Sequence, residues 1–112
     1  QTSWELVRWV QPNGALREVP QGDSGEPIRL DFLAQGREYR VAGYSGCNAY
    51  IGTYKLTSGK LIIKMPAKSR LTCASAQQAE LETAYLRALS RIATFTLDSG
   101  GAPRHMTFNL QD

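Results

Sequence analysis

The stretch SGCNAYIGTYKL, residues 45–56, decides the fold, because it contains a tight turn that leads directly into a strand. Gly46 can take a positive φ and Asn48 can close a turn through its own side chain, so the chain is predicted to reverse here. The strand then leads through another short turn into residues 60–65, where apolar and basic residues alternate. This stretch therefore predicts a β-hairpin that starts at a turn carrying a cysteine.

The chain has two cysteines, and they frame this hairpin. Cys47 lies in the opening turn, and Cys73 closes the segment SRLTC, residues 69–73. A redox pair normally has the close spacing of a Cys-x-x-Cys motif, whereas these cysteines are 26 positions apart. A structural disulfide is the simplest explanation of both, and a thiol enzyme that uses Cys47 or Cys73 as nucleophile is the alternative.

After Cys73 the period of the pattern changes from that of a strand to that of a helix. Ser75 with Gln78 three residues later is typical of a capping box at a helix start. Acidic residues come early in this segment and arginines late, which complements the helix macrodipole. We therefore expect one helix over about 76–92, with an apolar stripe formed by Leu81, Tyr85, Leu89 and Ile92.

Alternating apolar residues predict strands on both sides of this centre. A first strand is expected over 4–10, with Trp4 and Leu6 on one face and Trp9 on the other. An exposed loop is expected over 17–27. The strand over 60–65 is expected to end at Pro66. Further hairpins are expected from 28–32 with 38–42, and from 94–98 with 105–110. The fold class is thus α+β: a strongly twisted antiparallel sheet or partial β-barrel of about seven strands packed on one helix.

Length and composition limit the function classes. A chain of 112 residues with 42% hydrophobic and 21% charged residues is one domain, residues 1–112, and not a disordered acidic tail. It begins with Gln1 rather than Met, which suggests a processed form from which a targeting segment was removed. With a single histidine, His105, and no ligand spacing, neither a metal site nor a cofactor is expected.

The middle of the chain is basic, with no acidic residue from Tyr39 to Ala79. Its cations predict possible contact with an anionic surface, although a solvated hairpin with lysines that oppose aggregation would look the same. Nucleic acid is not an expected partner, because no recognition helix or aromatic RNA-binding motif is present. The candidate contact residues are Lys55, Lys60, Lys64, Lys68 and Arg70.

Several aromatic residues could line a pocket for a lipid-like apolar ligand if the barrel is open at one end. Such rings also fill and rim small barrels for purely structural reasons, because each buries a large area while its polar tip reaches water. The candidates are Trp4, Tyr44, Tyr50 and Tyr54.

These motifs together resemble a known family. The runs GCNAYIGTY and SRLTC, followed by ETAYL and then Ala88 and Leu89, resemble the META domain of HslJ-like bacterial envelope proteins, and the similarity covers nearly the whole chain. The resemblance implies a small domain of secreted or outer-membrane-anchored proteins, often lipoproteins, linked to stress and drug tolerance.

The function expected from this resemblance is non-enzymatic. The chain is expected to be an exported envelope domain, periplasmic or anchored at the outer membrane, with a binding or structural role and an unidentified protein partner. A binding module for an apolar ligand and a thiol enzyme are the rival hypotheses.

Overall fold

The computed structural model describes residues 2–11, 13–19, 22, 25–35, 38–57, 60–68, 72–97 and 105–110, with the backbone alone at 35 and 65–68. One helix and nine strands form in these ranges. In chain order they are β1 (Thr2–Glu5), β2 (Trp9–Val10), β3 (Leu16–Arg17), β4 (Arg29–Gln35), β5 (Glu38–Tyr44), β6 (Ala49–Thr57), β7 (Lys60–Lys68), α1 (Ala76–Leu89), β8 (Ile92–Leu97) and β9 (Met106–Leu110).

The strands form three antiparallel sheets. A five-stranded sheet has the order β1-β4-β5-β6-β7, and the pairs β2-β3 and β8-β9 form two-stranded sheets. The described strands do not close into a barrel. The predicted α+β class with a twisted antiparallel sheet is therefore confirmed, as are its three hairpins β4-β5, β6-β7 and β8-β9.

The inner face of the large sheet forms one core with the helix. Leu30, Val41, Tyr50 and Ile63 alternate with outward-facing neighbours on successive strands, so their side chains all point to the same side. The predicted helix stripe packs into this core and is buried, which explains its period of 3.6 residues. Its helical members are Leu81, Tyr85 and Leu89, and Ile92, which follows the helix, is buried in the same core.

Helix α1 begins as predicted but ends earlier. The Ser75 side chain accepts a hydrogen bond from the backbone N–H of Gln78 at 3.1 Å, which caps the N-terminus. At the other end the N–H of Ser90 contacts several carbonyls of the last turn, and α1 stops at Leu89. Ile92, predicted as helical, is instead the first residue of β8, although it is buried as expected.

The N-terminal segment differs more from the prediction. Residues 4–10 are not one strand, because the chain leaves β1 after Glu5 and the N–H of Leu6 bonds to the carbonyl of Ile28. This break changes the alternation, so Trp9 packs against the same core as Leu6 rather than on the opposite face. Part of the expected loop 17–27 is also not exposed, since Val19 packs against the core.

The strand predicted to end at Pro66 continues to Lys68 as β7. The β6-β7 register shifts between Ile51 and Thr53, so the strands pair irregularly near Pro66. Proline lacks a backbone N–H and is tolerated within a strand at such irregular positions. The predicted end of this strand at Pro66 is therefore wrong.

Candidate functional site

The turn between β5 and β6 is fixed by its own backbone. Gly46 has φ of 103°, a conformation that a residue with a Cβ rarely adopts. The Ser45 backbone N–H donates to the carbonyl of Asn48 at 3.0 Å, and the Ser45 Oγ lies 2.9 Å from the same carbonyl oxygen. The turn predicted from SGCN is therefore present.

A disulfide ties this turn to the segment that precedes α1. The structure joins Cys47 to Cys73, whose Cα atoms lie 5.4 Å apart. Cys47 is buried, and both sulfurs are in the bond. The two cysteines therefore connect the centre of the sheet to the helix, in the arrangement that the sequence predicts.

A buried carboxylate lies beside the disulfide. Glu82, on the second turn of α1, is only 2% exposed and accepts hydrogen bonds from the Ser45 Oγ at 2.6 Å and the Asn48 backbone N–H at 2.7 Å. The Asn48 side-chain amide also lies 2.8 and 3.0 Å from its two oxygens. Hydrogen bonds of this kind compensate the cost of burying a charge. We call Ser45, Asn48, Glu82 and the Cys47–Cys73 disulfide the Glu82 cluster.

The chemistry open to the Glu82 cluster follows from these contacts. Both sulfurs and a carboxylate oxygen of Glu82 lie within 4.8 Å of one another, which is a separation that a metal site could have. The sulfurs are bonded to each other, however, and a metal-binding or nucleophilic cysteine must be a free thiolate. In this oxidised state the cluster joins three parts of the fold: the β5-β6 turn, the segment before α1, and α1 itself.

Sequence reasoning assigned Glu82 only to the early acidic residues of the helix. The signal that could have identified it is its position, because Glu82 lies next to Leu81 and three residues before Tyr85, within the apolar side of α1. A carboxylate at such a position needs donors, and the predicted turn at Asn48 supplies them. Helical spacing does not indicate which turn would face Glu82, since Glu82 and its partner Asn48 are 34 residues apart in the chain.

Two buried tyrosines connect α1 to the sheet at a second point. Tyr50 donates to the carbonyl of Arg29 at 2.8 Å, which leaves its oxygen free to accept from Tyr85 at 2.9 Å. Gly43 makes room for this pair, because a Cβ there would lie 2.5 Å from the Tyr50 hydroxyl. Burial raises the pKa of Tyr50 far above its usual value, and burial likewise raises the pKa of Tyr85.

The four predicted pocket residues do not share one face of the sheet, since Tyr44 alone lies on the outer side. Tyr44 lies on the outer face of the sheet and donates to the carbonyl of Gly46, whereas Tyr50 lies on the inner face. Tyr54 packs edge-to-face on Phe32 with ring centroids 5.0 Å apart. Trp4, on the short strand β1, is half-buried and donates to Thr2 at 3.2 Å. Their contacts are those of framework residues, and an apolar ligand stays a prediction.

The predicted basic residues are only partly described. Lys55 on β6 lies directly opposite Ile62 on β7, and Lys60 and Lys64 flank Ile62 along its own strand. All four are exposed on the outer face of the sheet, and we call them the lysine face. Of the other two predicted cations, Arg70 lies outside the described residues, and Lys68 is described by its backbone alone.

Comparison with known proteins agrees with this architecture. The META domain model matches residues 1–111. A solved structure, described as the NMR structure of a protein from Burkholderia xenovorans, has 37% sequence identity and a TM-score of 0.81, over 97% of this chain and 74% of that protein. No curated protein matches the chain. The family match spans the cysteine-bearing turn, the helix and the sheet alike, and the chain belongs to the META domain family.

Proposed function

We propose that the chain is a non-enzymatic domain of an exported bacterial envelope protein, with a structural or binding role in envelope stress. The Glu82 cluster is the observation that carries this proposal. Its serine, cysteines and carboxylate are residue types that enzymes use, yet each of them is engaged in joining the β5-β6 turn to α1.

Disulfide chemistry supports the location. META domains occur in bacterial envelope proteins, and a disulfide persists in an oxidising compartment such as the periplasm, whereas the cytosol keeps most thiols reduced. Within the described ranges, no helix has the length and hydropathy that a bilayer crossing requires. The proposed role is thus that of a domain whose fold is stabilised by a disulfide.

Compartment and oxidation state can be measured together. The full precursor is expressed in a Gram-negative bacterium, free thiols are blocked with an alkylating reagent before lysis, and envelope and cytosolic fractions are compared before and after reduction. We expect the domain in the envelope fraction, with Cys47 and Cys73 alkylated only after reduction. Recovery of the reduced domain from the cytosol would contradict the proposal.

The thiol-enzyme alternative is tested on the same protein. Purified native domain is treated with a fluorescent iodoacetamide without reductant, and we expect no label on either cysteine because both sulfurs are bonded. The Cys73→Ser variant is the control, since its Cys47 then has a free thiol and takes up the label once the chain is unfolded. Rapid labelling of one cysteine in the native wild-type domain would favour a nucleophilic thiol instead.

A further inference from the structure

The outer face of the β6-β7 hairpin combines positive charge with exposed apolar side chains. Ile62 is 46% exposed at the centre of the lysine face, and Ile51, farther along β6 on the same outer side, is 56% exposed. Residues two apart on a strand are separated by about 7 Å, and facing residues on neighbouring strands by about 5 Å. Each of the three lysines is therefore an immediate neighbour of Ile62.

The acidic groups in the described part of the chain do not cancel this charge. The chain has no acidic residue within the hairpin. On the neighbouring strand β5, Glu38 is paired with Arg40, whose Nε donates to it at 2.8 Å. The remaining described acids of the outer face lie toward β1 and β4, where Asp31 is paired with Arg29. Among the residues that the structure describes, the lysine face thus keeps a positive charge that no acidic side chain compensates.

Protection against aggregation does not explain this arrangement well. Lysines that serve that purpose guard an open edge, where another strand could pair. Strand β7 is the last of the five-stranded sheet, and β8 lies near it without pairing to it in the described residues, but Lys55 stands on β6, which is paired on both sides. The lysines also point out from the face of the sheet, not along its edge.

We infer that the lysine face binds the surface of an anionic phospholipid bilayer, with Ile62 entering the boundary between headgroups and acyl chains. Lysine side chains are long enough to reach lipid phosphates while their central apolar neighbour is buried. Nucleic acid fits less well, because Ile62 has no π-face on which a base could stack. This inference rests on the proposed envelope function, which places the domain beside the membrane surfaces of the bacterial envelope.

Co-sedimentation with vesicles tests the inference on the purified oxidised domain. We expect binding to vesicles that contain phosphatidylglycerol and little binding to phosphatidylcholine alone. Binding should weaken as the salt rises from about 0.01 M to about 0.15 M, because the Debye length falls from about 30 Å to about 8 Å. Equal binding to both vesicle types, or none to the anionic ones at low salt, would overturn the inference.

Charge variants locate the contact. Each basic residue near an anionic surface strengthens binding about fivefold, so Lys60→Glu with Lys64→Glu should weaken it by about 25-fold or more. The matched control is Arg8→Glu with Arg87→Glu, which changes the net charge equally at two exposed positions outside the hairpin, the second of them on the helix that packs against the inner face of the sheet. If the control weakened binding as much, net charge rather than the lysine face would be responsible.

An apolar variant tests insertion separately. Ile62→Thr keeps a β-branched side chain on the strand but should weaken vesicle binding by about fivefold or more, because it removes apolar surface from the lipid boundary. Val7→Thr changes a side chain that is 70% exposed outside the sheet and should leave binding unchanged. Unchanged binding by Ile62→Thr would exclude insertion. Failure of these vesicle tests would leave the oxidised envelope location, which is measured by fractionation and alkylation, unaffected.

Discussion

Glu82 shows how one buried charge can organise distant parts of a chain. Its carboxylate receives donors from Ser45 and Asn48, which precede it by 37 and 34 residues. The side chain cannot rotate away without leaving these donors unpaired in the interior, and unpaired buried donors are costly. The helix position of Glu82 and the geometry of the turn are therefore coupled.

Truncation at this position should be among the most damaging single changes in the domain. We expect Glu82→Ala to lower the free energy of unfolding by about 3 kcal/mol or more, because several buried donors lose their acceptor. Glu80→Ala is the control on the same helix, where an exposed pair with Arg17 is removed, and it should cost less than about 1 kcal/mol. Urea unfolding measures both, and equal losses would mean that Glu82 is not energetically distinct.

The buried tyrosine pair predicts a dependence on alkaline pH. Because the folded-state pKa values of Tyr50 and Tyr85 are raised, their neutral forms stabilise the fold fully below the unfolded pKa of about 10. Above that pH the unfolded chain loses these protons first, so stability falls by about 1.4 kcal/mol per pH unit for each tyrosine.

The variant Tyr85→Phe isolates this effect. Urea unfolding at pH 8 and pH 11 should show a smaller loss of stability in Tyr85→Phe than in the wild type, because one titrating group has been removed from the core. Tyr39→Phe removes a more exposed hydroxyl and serves as the comparison. A loss in Tyr85→Phe equal to that of the wild type would show that the buried pair does not control the alkaline transition.

At the scale of elements, the helix and the sheet depend on each other through a small number of side chains. Leu89 is almost fully buried at the end of α1, whereas Arg87 points to solvent from the same turn. Leu89→Ala should therefore cost about 2–5 kcal/mol of unfolding free energy. Arg87→Ala should change it by less than about 0.5 kcal/mol, as surface substitutions usually do. Thermal and urea unfolding compare the two, and similar mild losses would show that α1 is peripheral.

Sequence patterns predicted those elements that have a strong period of their own. The hairpins and α1 follow from alternation and from capping at Ser75, which are local properties. The break after Glu5, which places Trp9 against the core, depends on a contact with Ile28 that no local pattern encodes. The extension of β7 past Pro66 likewise depends on its irregular pairing with β6.

The candidate site was predicted to a similar extent. The two cysteines were paired correctly because they are the only ones in the chain, and the turn at Asn48 was visible in its residue types. The role of Glu82 was not predicted, because exposed and buried glutamates have the same helix propensity. Its place on the apolar side of α1 separates Glu82 from Glu80, but only the fold supplies the turn whose donors face it.

For the molecule as a whole, the disulfide should decide how stable the domain is. A link between residues 26 apart restricts the unfolded chain and contributes about 3–4 kcal/mol in the chain-entropy model. We expect Cys47→Ser with Cys73→Ser to lower the urea midpoint and the melting temperature by many degrees. Added reductant should do the same to the wild type and have no further effect on the variant. An unchanged melting curve after verified reduction would contradict this.

The Cys47–Cys73 bond also closes a covalent ring around β6 and β7. The hairpin that carries the lysine face is thus a macrocycle whose closure lies beside Glu82. One backbone cut anywhere inside the ring releases no fragment, because the sulfur bridge still holds both new ends to the rest of the chain. A nicked domain therefore stays a single covalent molecule until it is reduced, and a protease must cut this hairpin twice to remove any part of it.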